Sequence, residues 1–143
     1  VRQLLTEAPD EEGVLRVVEQ YGEALDAQAL ARALTWLAKF RRSSSRTWGR
    51  PQGPEYRRLQ EAVGRHLNAM DADELCAVAV ANDRLFERPA YGKKLAQRLN
   101  AVVPRCQEGL SSDTLVLLLF AMVRMRWEPS PALLKSVASR AAQ

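Results

Sequence analysis

The apolar residues of this chain fall into one pattern that recurs three times. Leu25-Asp26-Ala27-Gln28-Ala29-Leu30, Met70-Asp71-Ala72-Asp73-Glu74-Leu75 and Leu110-Ser111-Ser112-Asp113-Thr114-Leu115 each read as an apolar residue, a helix N-cap, a short polar or small stretch and a leucine. The offsets between them are 45 and 40 residues. The register continues in step through Leu34, Ala79 and Leu119, then Trp36, Ala81 and Ala121, then Phe40, Leu85 and Met125. Self-similarity at such a period is the mark of stacked supersecondary units.

Asp and Ser side chains accept hydrogen bonds from the free amides of a helix's first turn, so Asp26, Asp71 and Ser111 predict three helix starts. Glu74, three residues after Asp71, completes a capping box. From each start an apolar stripe at spacings of three and four runs to about Arg41, Phe86 and Trp127, which predicts the first helix of each unit. A second helix follows each. Ser130 caps the third of these, with Pro131 in a first turn that does not need its amide and with Leu133, Leu134 and Val137 as its face. Pro89 opens another, with Tyr91, Leu95, Leu99 and Val102 in register. Tyr56, Leu59, Val63 and Leu67 form the face of the remaining one.

Ahead of the first unit, Val14, Leu15, Val17 and Val18 predict a lead-in helix over 11–22. Between the helices of unit one lies Arg42 to Pro54 (RSSSRTWGRPQGP), whose Ser, Arg, Gly and Pro read as a loop inserted into the unit. Period-two alternation bounded by turn residues is missing, so no strand is expected. The fold class is therefore all-α: an α-solenoid of about three helix-pair repeats, with a period of about 40–45, behind a lead-in N-terminal helix. The single domain 1–143 divides into the lead-in 11–22, repeat 1 over 25–67 with its loop 42–54, repeat 2 over 70–103, and repeat 3 over 110–143. Each pair exposes a hydrophobic face that only a neighbour can cover. Leu115 to Val123 is apolar almost all round, so that helix is either sandwiched on both sides or meets another protein. The absence of a polar cap after the third unit favours a missing neighbour.

Composition adds limits rather than a function. With 47% hydrophobic and 27% charged residues the chain has the balance of a folded domain. Its longest apolar run, Leu115 to Val123, is too short to span a bilayer. The chain starts at Val1 rather than Met, which reads as a processed form or a fragment, and the lack of a visible targeting peptide excludes no organelle. Cys76 and Cys106 have no CxxC spacing and His66 is the one histidine, so no metal site, disulfide framework or cofactor is expected, and a reducing compartment fits better. Ser43-Ser44-Ser45 forms no nucleophile elbow, and Gly49 and Gly53 flank prolines rather than opening a phosphate-binding helix. No catalytic residues are assigned, and an enzyme is not expected.

The net charge of +4 is unevenly spread. Residues 1–30 carry seven acids against Arg2 and Arg16, a net −5, including the cluster Glu7 to Glu12 that reads as a helix-cap region or a docking tail. Nineteen basic and ten acidic residues follow, a net +9. Seventeen of the twenty-one basic residues are Arg, whose planar fork suits phosphate and stacking better than an ammonium does. Lys39, Arg41, Arg42, Arg46, Arg50, Arg57, Arg58 and Arg65 face only Glu55 and Glu61 over the same stretch. Phosphate neutralisation needs such a cluster, and Trp48 in the loop could stack a base. A solvated loop, or contact with an acidic protein, is the alternative. Lys93, Lys94 and Arg98 add a second basic group on the helix after Pro89. Arg124 and Arg126 end a helix, where cations also favour the C-terminal dipole. Trp36 is expected in the core and Trp127 between repeats.

The phrases Leu110 to Gln143 (LSSDTLVLLLFAMVRMRWEPSPALLKSVASRAAQ) and Leu25 to Phe40 (LDAQALARALTWLAKF) combine a cap, a leucine-rich helix and, in the former, a Pro-initiated second helix. In this the sequence resembles the octotricopeptide and heptatricopeptide repeat proteins of organelles, the latter known from FAST-kinase-like proteins with RAP domains. Unit two departs from the pattern, since Val80-Ala81-Asn82-Asp83-Arg84 replaces the W/F-A-x-x-x-hydrophobic phrase that ends the leucine-rich helix, and no RAP domain or kinase-like region is visible. The resemblance implies a non-enzymatic RNA-binding protein of a mitochondrion, or alternatively a chloroplast. It would bind organellar rRNA or transcript as part of a ribosome or RNA-processing assembly. The RNA-binding residues would then be those of the basic groups read above: Arg41, Arg42, Arg46, Trp48, Arg50, Arg57, Arg58, Arg65, Lys93, Lys94 and Arg98. The rival reading is a protein-interaction scaffold within a larger organellar complex.

Overall fold

The computed structural model describes residues 11–21, 24–43, 54–85 and 89–141. Among them lie seven α-helices and no strand: α1 (Glu11–Tyr21), α2 (Ala27–Ser43), α3 (Pro54–His66), α4 (Ala72–Leu85), α5 (Gly92–Val102), α6 (Ser112–Arg124) and α7 (Pro131–Ala141). Short 3-10 turns follow α3 at Leu67–Ala69 and α5 at Val103–Arg105 and Gln107–Gly109. The protein is all-α.

The helix starts are set by the side chains the sequence puts there. Asp26 Oδ1 accepts from the Ala29 amide at 2.8 Å. Asp71 Oδ1 accepts from Glu74 N at 2.8 Å while Glu74 Oε1 accepts from Asp71 N at 3.1 Å, a closed capping box. Ser111 Oγ accepts from Thr114 N at 3.1 Å, and Ser130 Oγ from Leu133 N at 3.2 Å. Each such cap stabilises its helix by about 1 kcal/mol.

Helix ends depart further from expectation. Arg42, Ser43 and Pro54 are helical, so α2 runs beyond Arg41 and any loop of unit one is shorter than 42–54. Residues 44–53, like Gly22 and Phe86, lie outside the described residues. The first helix of unit three stops at Arg124, three residues before Trp127. Arg126 takes a left-handed φ of 61°, its amide donates to Val123 O at 3.1 Å, and the Trp127 amide donates to Met122 O at 2.8 Å. These two bonds form a Schellman motif, which ends a helix with a residue in the glycine-like conformation.

The core is one continuous cluster. Leu30, Leu34, Leu37, Leu59, Val63, Leu75, Leu95, Leu99, Leu115 and Leu133 are all fully buried, each contributing about 1.5–3 kcal/mol of transfer free energy before entropy is counted. The most extensive packing joins α2 to α4 and then α4 to α6; α1 lies against both α2 and α3, α5 against α4, and α7 against α6. Two expectations fail locally, and one alternative is decided. Trp36 is only partly buried at the edge of the core, with Lys39 Nζ 4.7 Å from its ring centroid. Leu134 points outward, 46% exposed, while Leu133 and Val137 form the inner face of α7. The apolar helix α6 is not sandwiched on both sides within this chain, since Val116, Leu117, Phe120 and Val123 are exposed.

Candidate nucleic-acid interface

The basic residues that can be placed sit on α3 and α5. Tyr56, Leu59 and Val63 turn one face of α3 into the core, and the helical period then leaves Arg57, Arg58 and Arg65 exposed. Arg58, Glu61 and Arg65, spaced three and four apart, share a face that borders a cleft of about 470 Å³ against α1, which Leu15, Val18 and Tyr21 also line. Across it Arg58 Nη1 meets Glu19 Oε1 at 3.2 Å, with both side chains more than half exposed. An exposed pair of this kind is worth roughly 0–1 kcal/mol, so an anionic ligand can displace Glu19 at little cost.

On α5, Tyr91, Leu95 and Leu99 face inward, and Lys93 and Lys94 are exposed. Lys94 Nζ donates to the Gly64 carbonyl at 3.2 Å, in the last turn of α3, where helical carbonyls lack intrahelical donors. This contact brings Lys94 to the backbone of the residue before Arg65. The end of α3 and the entry to α5 come to van der Waals distance here, since a Cβ on Gly64 would lie 3.4 Å from Tyr91 Cβ. Arg98 is half-buried, and its Nε is buried with no hydrogen-bond partner. Arg41 and Arg42 belong to α2, but their side chains, like all of Arg46, Trp48 and Arg50, lie outside the described residues.

Several polar contacts between helices have no signal in the sequence. Asp83 of α4, its side chain only 10% exposed, pairs with Arg124 Nε at 3.2 Å, which gives Arg124 a partner other than its own helix end. Asn100 of α5 donates from Nδ2 to Glu128 O at 3.2 Å and accepts at Oδ1 from Ser130 N at 2.8 Å, clamping the entry to α7. Arg140 donates to Leu110 O at 2.7 Å. Trp127 packs on the start of α5, where a Cβ on Gly92 would lie 3.4 Å from its ring.

Three other titratable side chains make contacts within the fold or are buried in it. His66 Nδ1 lies 2.9 Å from Ala62 O, one turn back in its own helix. Burial pushes the Cys76 thiol up to about 12, with Asp73 and Asp71 adding to the rise, so its thiolate is suppressed. Cys106 is exposed. Burial also raises the Tyr91 hydroxyl, partly opposed by its hydrogen bond to Asn82. Among the described residues no cluster of three His, Cys, Asp or Glu side chains is placed to hold a metal ion, and no helix is long and apolar enough to cross a membrane.

What this surface can do is bind anions: guanidinium and ammonium groups project from two helices that touch, and two of the counter-charges, Glu19 and Glu61, are solvent-facing. Comparison with protein-family models, with curated proteins and with solved structures finds no match to this chain.

Proposed function

We propose that this chain is a non-enzymatic α-solenoid that binds RNA along α3 and α5, as part of an organellar ribonucleoprotein assembly such as a mitochondrial ribosome. The contact that carries the reading is Lys94 Nζ on Gly64 O. It draws the basic start of α5 against the end of α3, so that Arg57, Arg58, Arg65, Lys93 and Lys94 offer charges along one path for a phosphate backbone. The solenoid reading is supported by the succession α2, α4, α6, in which helices 40 and 45 residues apart are neighbours, as stacked helix pairs require. The organellar part rests on the resemblance to octotricopeptide and heptatricopeptide repeats.

Ultraviolet crosslinking of the chain to RNA, with peptide mapping, tests this. Crosslinks are expected on 54–66 and 91–98, and partners recovered from an organelle extract are expected to be lost on ribonuclease treatment. Partners that survive ribonuclease, with no crosslink on α3 or α5, would leave a protein-interaction scaffold as the function.

A further inference from the structure

The cleft between α1 and α3 offers more than cations. Its lining is largely apolar: Leu15 and Val18, three residues apart, meet it from α1, and Ala62 meets it from α3. Ala62 stands between Arg58 and Arg65 on one face of α3, at spacings of four and three, so a methyl group separates the two guanidinium-bearing side chains. Tyr21, half-buried in the last turn of α1, adds an aromatic ring. At about 470 Å³ the cleft lies within the range of roughly 300–1,000 Å³ that suits small organic groups.

What this lining fits follows from its chemistry. A phosphate alone gains nothing from apolar side chains, and the guanidiniums of Arg58 and Arg65 are balanced by the carboxylates of Glu19 and Glu61. The complement is a group with flat apolar faces, a hydrogen-bonding edge and an anion attached, which describes a nucleotide. An unstacked base lays its faces against aliphatic and aromatic side chains while its phosphates stay with the arginines. The two carboxylates differ in availability. Glu19 is engaged by Arg58, whereas Glu61 is exposed and has no ion-pair or hydrogen-bond partner among the described residues. An ionised carboxylate only accepts, so it pairs best with an edge that sets two donors side by side. Of the four RNA bases guanine has that edge, with N1–H next to the 2-amino group. Adenine and cytosine place an acceptor beside the amine, and uracil flanks its one donor with two carbonyls.

We propose that the cleft between α1 and α3 takes a single unstacked guanine of the bound RNA. Glu61 accepts from N1–H and the 2-amino group, Leu15, Val18 and Tyr21 lie against the ring, and Arg58 and Arg65 hold the flanking phosphates. The proposal rests on the RNA reading and adds base selectivity to it.

Fluorescence anisotropy of the full chain with a labelled oligouridine, and with the same strand carrying one central guanine, tests it. The guanine strand is expected to bind roughly tenfold tighter, and inosine in its place, which lacks the 2-amino group, to lose most of that gain. Glu61→Gln should weaken the guanine strand to the level of oligouridine, whose own binding stays the same or tightens because a negative charge has gone. Tyr21→Ala should cost the guanine strand roughly tenfold and spare oligouridine. Helical circular dichroism should be unchanged in both variants. GMP should compete with the guanine strand only at far higher concentration, since it brings one phosphate in place of several. A role for Glu61 as a charge alone would tighten both strands in Glu61→Gln, which overturns the proposal. So does GMP that binds as tightly as the strand, because the ligand is then a free nucleotide. Equal binding of both strands by the wild type also overturns it while the RNA reading stands, and binding of neither strand removes the two readings together.

Discussion

The hydroxyl of Tyr91, at the entry to α5, donates a hydrogen bond to the side-chain carbonyl of Asn82 on α4, and both residues are buried. Asn82 occupies the position held by Leu37 in α2 and Met122 in α6, and its Nδ2 has no partner. A buried polar group whose partner is removed costs about 1–3 kcal/mol, whereas removing both partners is close to neutral. Tyr91→Phe and Asn82→Leu should therefore each lower the urea midpoint, and the double variant should recover most or all of the loss. Simple additivity of the two losses would contradict the pairing.

A second prediction concerns the end of α6. Arg126 holds a conformation that costs an L-residue about 1–2 kcal/mol and glycine almost nothing. Arg126→Gly should raise thermal stability by about 1 kcal/mol after the extra freedom of the unfolded chain is counted, and Arg126→Val should lower it. Differential scanning calorimetry distinguishes the two directions.

The contrast between helix starts and helix ends explains what the sequence disclosed. A cap such as Asp26, Asp71, Ser111 or Ser130 acts within three residues, so its chemistry is local and can be read from the chain. The stop at Arg124 could not be read, because the left-handed position carries arginine in place of the expected glycine. The partners of Arg58, Lys94 and Arg124 lie 39, 30 and 41 residues away and follow from how the helices cross, which spacing does not encode. For the basic surface, residue types were legible on α3 and α5. Which carbonyls and carboxylates they meet was not.

Thiol chemistry gives a third test. Cys76 is buried with its thiol raised to about 12 and Cys106 is exposed, so one thiol per chain should react with an alkylating reagent under native conditions and two in denaturant. The same burial makes stability depend on pH. From 9.0, the ordinary thiol value, to about 12, the unfolded chain gives up a proton that the folded chain keeps, so stability is full below that window and falls as pH rises through it. Tyr91, raised from its ordinary 10.0, adds to the fall in the same direction. In Cys76→Ala the decline of the denaturation midpoint above pH 9 should be shallower.

Asn100 supplies a fourth. Its amide satisfies both Glu128 O and Ser130 N, donating at Nδ2 and accepting at Oδ1, which alanine cannot do. Asn100→Ala should cost about 1–3 kcal/mol. Amide exchange at Ser130 and through the first turn of α7 should accelerate ahead of exchange in α4. Equal acceleration in both helices would mean that the clamp does not act locally.

The measurement that bears most directly on RNA binding is the dependence of affinity on salt. For a single-stranded RNA, the logarithm of the association constant should fall linearly with the logarithm of salt concentration, at about 0.7 per phosphate neutralised. Replacing Arg57, Arg65 or Lys93 by Gln should reduce the slope by about that amount for each residue, with thermal stability unchanged. A flat salt dependence, or a steep one that all three substitutions leave untouched, would contradict the assignment of α3 and α5 as the RNA-binding surface.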